Sequence, residues 1–376
     1  MIKNLDILLI KVDAFDSEGI LDSVKLLNKT FATINFNPKK GIYVGPNNIG
    51  LKTKSLSSMI LTNINNKIYY LIFPLIFIID YIKFYIQIFK FVSKFTHIKN
   101  VYCDNTFLSL IIILLKKLNK ISSFSYASHD WLPYEKQKKI WSFFGTYSFI
   151  FFDYIVCNNS NYIFNHTSHV MKLRNKYWKN KFKSKSYIFK PPIKFHKSII
   201  SSNNIDKNLI CFAGLAKDFE GFLMLLNSIK KTDYRLLIIG KKNEITQKLS
   251  KYCDENDLSH KLEITDYVSR EKMQYLISVS FIGVNVTTKK SYTDIVLPSK
   301  LFDYLSNFKP CIVSSTQLVS SDIINKNKLG ISINNKSVSE LTSAIIKISS
   351  EYDNYVQNIS KFHHSYSPTN FSNFFI

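Results

Sequence analysis

Short, nearly unbroken apolar runs recur along this chain, separated by longer stretches in which polar residues return every three or four positions. The runs predict buried strands, and the stretches between them predict helices. In the first half, strands are expected at Ile7 to Val12, Gly41 to Val44, Asn100 to Asp104 and Ile121 to Ala127, with a helical pattern beginning over Gly19 to Leu27. In the second half they fall at Leu209 to Ala213, Tyr234 to Ile239 (ended by Gly240), Phe281 to Val286 and Lys309 to Ser314. Strands alternating with helices give an α/β protein with a doubly wound parallel sheet. At 376 residues the chain exceeds one ordinary core and suits two domains of about 150–200 residues each. Phe189-Lys190-Pro191-Pro192-Ile193 breaks the pattern, and Ser201-Ser202-Asn203-Asn204 reads as a loop. The expected division is a first lobe over 1–190, a linker over 191–207, a second lobe over 208–350 and a tail over 351–376.

Two stretches depart from this rhythm. Tyr69 to Phe95 is apolar enough to resemble a membrane span, yet Asp80, Lys83, Gln87, Lys90, Lys94 and His97 form one polar stripe along it. A span has no reason to keep charges through its middle. Two readings stay open: a helix facing the core with one solvated edge, or a helix half sunk in a membrane interface through Lys83, Lys90 and Lys94. Residues 172–185 interleave Lys172, Arg174, Lys176, Lys179, Lys181, Lys183 and Lys185 with Tyr177, Trp178 and Phe182. That mixture suits a solvated helix face, single-stranded nucleic acid, or an anionic membrane met by Lys172, Arg174, Lys176, Trp178 and Lys179.

Charge sharpens the choice of partner. The net charge is +23, and only Arg174, Arg235 and Arg270 are arginines. A basic surface attracts phosphates and anionic lipid, while scarcity of arginine weighs against a nucleic-acid partner. The apolar fraction of 46% argues for a globular protein. Cys103, Cys157, Cys211, Cys253 and Cys311 are scattered and odd in number, as expected of buried free thiols in a reducing cytoplasm. They suggest no metal site. Met1 to Ile10 reads as a first strand rather than a signal peptide.

The chemistry concentrates in Leu297-Pro298-Ser299-Lys300-Leu301-Phe302-Asp303-Tyr304, followed by Lys309-Pro310-Cys311-Ile312-Val313-Ser314. Pro298 suits the turn before a helix. Ser299 is a good cap, and the free amides behind it form an anion site. Lys300 adds a full positive charge there. Asp303, one turn on, offers an acceptor for ribose hydroxyls, so the pattern suggests a nucleotide ligand.

This segment resembles the nucleotide-sugar-binding segment of GT-B glycosyltransferases of the group 1 type, which usually runs Pro-Ser-Lys-Leu-Phe-Glu-Tyr and then Gly-Lys-Pro-Val-Ile. The resemblance implies a GT-B fold: two Rossmann-like, doubly wound parallel-sheet lobes facing across a cleft, with a tail helix over 351–376 crossing back to the first lobe. Phe152 to Ser160 is similar to the family's Asp-x-Ile-Val-x-x-Ser strand and turn. Gly214 and Gly221 keep the spacing of the family's Gly-Arg-Leu-x-x-x-Lys-Gly, but Leu215 and Glu220 stand where its diphosphate-binding Arg and Lys would be. Lys217, in the same loop, is the available replacement. The resemblance assigns Ser299 and Lys300 to the diphosphate, Asp303 to the ribose, and Asp294 to a carboxylate role one residue from its usual position. Backbone at Tyr267 and Val268 would meet the base, just ahead of Ser269, itself a helix cap by its own sequence. His129 and Asp130, at the end of a strand, are the catalytic candidates on the acceptor side.

The activity so implied is transfer of a sugar from a nucleotide diphosphate sugar to a hydroxyl of a glycan, with retention and without metal or other cofactor. If the reaction is retaining, the departing phosphate takes the acceptor proton and His129 orients the acceptor; if it is inverting, His129 or Asp130 is the base. The acceptor would be lipid-linked, as in capsule, O-antigen or lipopolysaccharide assembly. The protein would then lie peripherally on the inner face of the cytoplasmic membrane. With both usual basic residues replaced, the alternative is a non-catalytic partner that scaffolds an active transferase.

Overall fold

The computed structural model describes residues 4–12, 31–37, 41–44, 79, 81–128, 140–190, 205–289, 294–297, 299–369 and 374. The chain divides into two compact units, Met1–Pro192 together with Pro368–Ile376, and Ile193–Ser367.

The first unit contains β1 (Asn4–Val12), β2 (Phe31–Asn37), β3 (Gly41–Val44), helix α1 (81–92), β4 (His97–Cys103), α2 (Ser109–Lys117), β5 (Ile121–Ser128), α3 (Ile140–Asn159), β6 (Tyr162–Asn165), α4 (Ser168–Tyr177) and β7 (Ser186–Ile188). Its sheet runs β3-β2-β1-β4-β5-β6-β7 and is parallel except for the β2–β3 pair. Ile98, Val101, Ile121, Phe124 and Tyr126 from the strands pack with Phe84, Ile88 and Val92 of α1 and Ile112 of α2. Strands buried on both faces explain the nearly continuous apolar runs in the sequence.

The second unit contains β8 (Leu209–Ala213), α5 (Phe219–Ile229), β9 (Arg235–Ile239), α6 (Glu244–Glu255), β10 (Leu262–Ile264), α7 (Arg270–Val279), β11 (Ile282–Asn285), α8 (Ser299–Ser306), β12 (Cys311–Ser314), α9 (Leu318–Asn327), β13 (Gly330–Ile333), α10 (Val338–Ser350) and α11 (Tyr352–Ser365). The sheet order is β10-β9-β8-β11-β12-β13, every pair parallel. Strand order therefore reverses direction between β8 and β11. In open α/β sheets, ligands bind at the carboxyl ends of the strands flanking such a reversal.

Two expectations need correction. Phe152 to Ser160 is not a strand: it is the last part of α3 and the residue after it. Asp153, Val156, Cys157 and Ser160 are buried, at the spacing of one helix face. Arg174 does not face a membrane, because it is completely buried. Its Nε and Nη2 reach the two carboxylate oxygens of Asp153, both at 3.2 Å, and its Nη1 donates to Asn165 Oδ1. Trp178, half-buried, donates to the same carboxylate at 3.3 Å, as does Tyr126 at 3.0 Å. Lys172, Lys176 and Lys179 are exposed, as are Lys83, Lys90 and Lys94.

The tail is divided between the two units. Helix α11 belongs to the second unit, where Ile359 is fully buried and His363 Nε2 lies 2.8 Å from Leu305 O. The residues after it join the first unit. Lys190 N donates to Thr369 Oγ1 at 2.8 Å, and Phe374 packs its ring 4.9 Å from those of Phe164 and Tyr187. Among the described residues, no helix is long and apolar enough to cross a membrane.

Candidate functional site

Of the predicted donor residues, Gly214, Lys217 and Lys300 come together where β8 ends. Helix α8 is seated there by its tyrosine. Cys211 of β8 and Cys311 of β12 both register opposite Gly283 of β11, which lies between them. The ring of Tyr304 rests on that glycine, where an added Cβ would stand 2.4 Å from it. The Tyr304 hydroxyl accepts from Ala213 N at 2.9 Å and donates to Val284 O at 3.0 Å. Leu301 and Leu305 bury the same face of the helix. One side chain thus ties α8 to the carboxyl ends of both strands at the reversal point.

That anchoring places Lys300 over the glycine turn. Gly214 has φ +131°, a conformation that side-chain-bearing residues rarely adopt, and an added Cβ would meet Lys300 Cε at 2.7 Å. Lys300 Nζ stands 4.5 Å from the centre of the Phe212 ring. Its pKa is pulled down to about 8, first by burial and then by the charge of Lys217. Two cations therefore share this corner, and neither forms an ion pair among the described residues. Leu215 and Glu220 are exposed and bring no positive charge. Ser299 is exposed at the start of α8.

Asp303 is held from α7. Its Oδ1 accepts from Gln274 Nε2 at 2.9 Å and from Arg270 Nη2 at 3.2 Å, with the aspartate side chain only 12% exposed. Asn307 links the same group, donating to Asp303 O at 2.8 Å and to Gln274 Oε1 at 2.5 Å. Arg270, Gln274 and Asn307 were not read as site residues from the sequence. The signal available was only a glutamine and a rare arginine four residues apart on one helix.

Around the rim, Tyr267 is 85% exposed, its amide donating to Asp266 Oδ1 at 2.7 Å. Val268 packs against the core beneath α8. Ser269 caps α7 by accepting from Lys272 N. Asp294 is buried in the segment before α8. His129 and Asp130 lie outside the described residues, as do Pro298 and the turn at 13–19.

Residues 196–362 match the family described as Glycosyl transferases group 1. By sequence, no curated protein matches the chain. By structure, it is similar to a sucrose-phosphate synthase from Thermosynechococcus elongatus, with TM-score 0.66 and 12% identity over 99% of this chain and 96% of that one. It is also similar to HepE of Anabaena in complex with UDP-glucose, with TM-score 0.61 and 8% identity over 95% and 93%. A third similar structure is WaaG, a glycosyltransferase involved in lipopolysaccharide biosynthesis, with TM-score 0.50 and 10% identity over 72% and 88%. The second lobe therefore matches the group 1 glycosyltransferase family, and the chain throughout has the fold of GT-B glycosyltransferases.

Proposed function

We propose that this glycosyltransferase moves a sugar from a nucleotide diphosphate sugar to a hydroxyl of a lipid-linked glycan in surface polysaccharide assembly. The observation that carries the donor half is Lys300 packed over Gly214 with the charge of Lys217 beside it, neither lysine having a carboxylate partner among the described residues. A diphosphate there relieves the repulsion between the two lysines. It also gains the amides at the start of α8. In the reaction these groups neutralise the charge that develops on the leaving diphosphate, so no metal is needed. Asp303, oriented through Oδ1, accepts from the ribose hydroxyls, and the backbone at Tyr267 and Val268 meets the base. With retention, the departing phosphate oxygen takes the acceptor proton on the same face, and His129 and Asp130 orient the acceptor.

The acceptor half rests on the first unit. Ile82, Ile86 and Phe89 are exposed along one side of α1, beside exposed Lys83 and Lys90. Exposed apolar side chains bordered by lysines suit an anionic bilayer surface. That reading places the protein peripherally on the inner face of the cytoplasmic membrane. The involvement of WaaG in lipopolysaccharide biosynthesis supports the polysaccharide assignment.

The test is calorimetric titration with UDP, GDP, CDP and ADP without metal, beside Lys300→Ala/Asp303→Ala. Saturable binding of one diphosphate, lost in the variant, supports the donor site. Failure of all four in folded protein makes Leu215 and Glu220 the explanation and favours the non-catalytic scaffold. Sedimentation with vesicles containing anionic lipid, compared with neutral vesicles, tests the membrane half.

A further inference from the structure

Asp218 occupies the capping position of α5 but does not cap it. Its carboxylate turns instead toward the residues after β11. Thr288 N donates to Oδ2 at 2.6 Å, Thr288 Oγ1 at 2.9 Å and Thr287 Oγ1 at 3.1 Å. The same corner is gripped from two other loops. Ser314, at the end of β12, accepts from Thr287 N at 2.8 Å and donates to Thr287 O at 2.9 Å. Asn335, after β13, donates to Thr288 O at 3.1 Å. A carboxylate that accepts several hydrogen bonds from one loop corner fixes it far more firmly than apolar contact does. Asp218 also stands next to Lys217, and the Thr287–Thr288 corner begins the segment that ends in Ser299 and Lys300.

We propose that Asp218 is a positioning residue for donor binding, tying the glycine loop that carries Lys217 to the Thr287–Thr288 corner so that Lys217 and Lys300 meet over one site. It does so without touching the donor. This rests on the donor-site reading above. It accounts for a feature of this chain that the glycine spacing alone does not. With Leu215 and Glu220 replacing the usual cations, the site depends on a lysine in the middle of a loop, and a loop lysine is useful only where the loop is held.

The experiment is a double-mutant cycle on the full chain with Asp218→Ala, Thr288→Val and the pair. It is read by affinity for whichever nucleoside diphosphate the wild type binds, by melting temperature, and by hydrogen exchange at the Thr288 amide. Asp218→Ala is expected to weaken the diphosphate about tenfold or more. The double variant should be no weaker than the worse single. Asp218→Asn, which keeps an acceptor for the Thr288 amide, should recover part of the loss, and Thr288 exchange should quicken in Asp218→Ala. Full additivity would mean that Asp218 meets the ligand directly, and would overturn the proposal. So would a lower melting temperature with unchanged affinity, since the role would then be structural only. Unchanged Thr288 exchange overturns the tie itself, whatever the donor. If the wild type binds no diphosphate, the donor-site reading fails and this role falls with it.

Discussion

Replacing Gly283 with alanine should disable donor binding from beneath the site. The added Cβ would stand 2.4 to 2.7 Å from three carbons of the Tyr304 ring. The strand cannot yield, because β11 is hydrogen-bonded on both sides, to β8 and to β12. The ring must therefore lift by about 1 Å to reach ordinary contact distance. Overpacking of this kind costs about 1–3 kcal/mol. Lifting also strains the bonds from Ala213 N and to Val284 O, each worth about 1 kcal/mol. The expected total is about 2–4 kcal/mol, measured as a lower urea midpoint with unchanged slope. Because α8 carries Lys300 and Asp303, the diphosphate affinity should fall about tenfold even in folded protein. Tyr304→Phe is the companion: it keeps the ring and loses only the two hydroxyl bonds, so its effect should be smaller than that of Gly283→Ala. Gly283→Ala within about 0.5 kcal/mol of wild type, with intact affinity, would refute the claim that this contact seats the helix.

Other consequences are as concrete. The free Lys300 titrates near 8 because burial and Lys217 disfavour its charge. The diphosphate binds the charged form, so affinity should be fully present below about 8 and decline as pH rises through it; a flat profile between pH 7 and 9.5 would exclude Lys300 as the ligand. Lys309 is buried, and burial pulls its pKa down to about 8 as well. The folded state then disfavours its charge, so stability should rise between pH 8 and about 10.4, where the unfolded lysine also loses its proton. Lys309→Met should stabilise by roughly 2 kcal/mol at pH 7 by urea unfolding, with the gain shrinking across that window. Arg174→Met strands the Asp153 carboxylate in the core and should cost about 3–5 kcal/mol; a loss below 1 kcal/mol would mean that the pair carries little of the first unit's stability.

What was legible in the sequence was what is local. Strands β8, β11 and β12 announce themselves as apolar runs between turns, and the Ser299-Lys300-Leu301-Phe302-Asp303-Tyr304 helix carries its own charge and apolar stripe. Phe152 to Ser160 misled because a short apolar run has no period long enough to separate strand from helix. Arg174 looked like one more surface cation, since nothing near it in the chain points to Asp153 or to Asn165. The contacts around the proposed donor site were hidden for the same reason: Gln274 reaches Asp303 from another helix, and Asp218 reaches Thr288 from another loop. These are choices of tertiary partner, and a single sequence leaves them open.

The cysteines flanking Gly283 turn the seat of α8 into its own reporter. Both thiols are buried; burial and the neighbouring thiol push that of Cys311 well above its usual range, and burial lifts that of Cys211 to about 11. Neither can react with an alkylating reagent while Tyr304 lies between them, because the reactive species is the exposed thiolate. The labelling rate of these two positions therefore counts how often the helix lifts from the sheet. A nucleotide that grips Lys300 and Asp303 should slow that clock, making donor occupancy readable by mass spectrometry without following any sugar transfer.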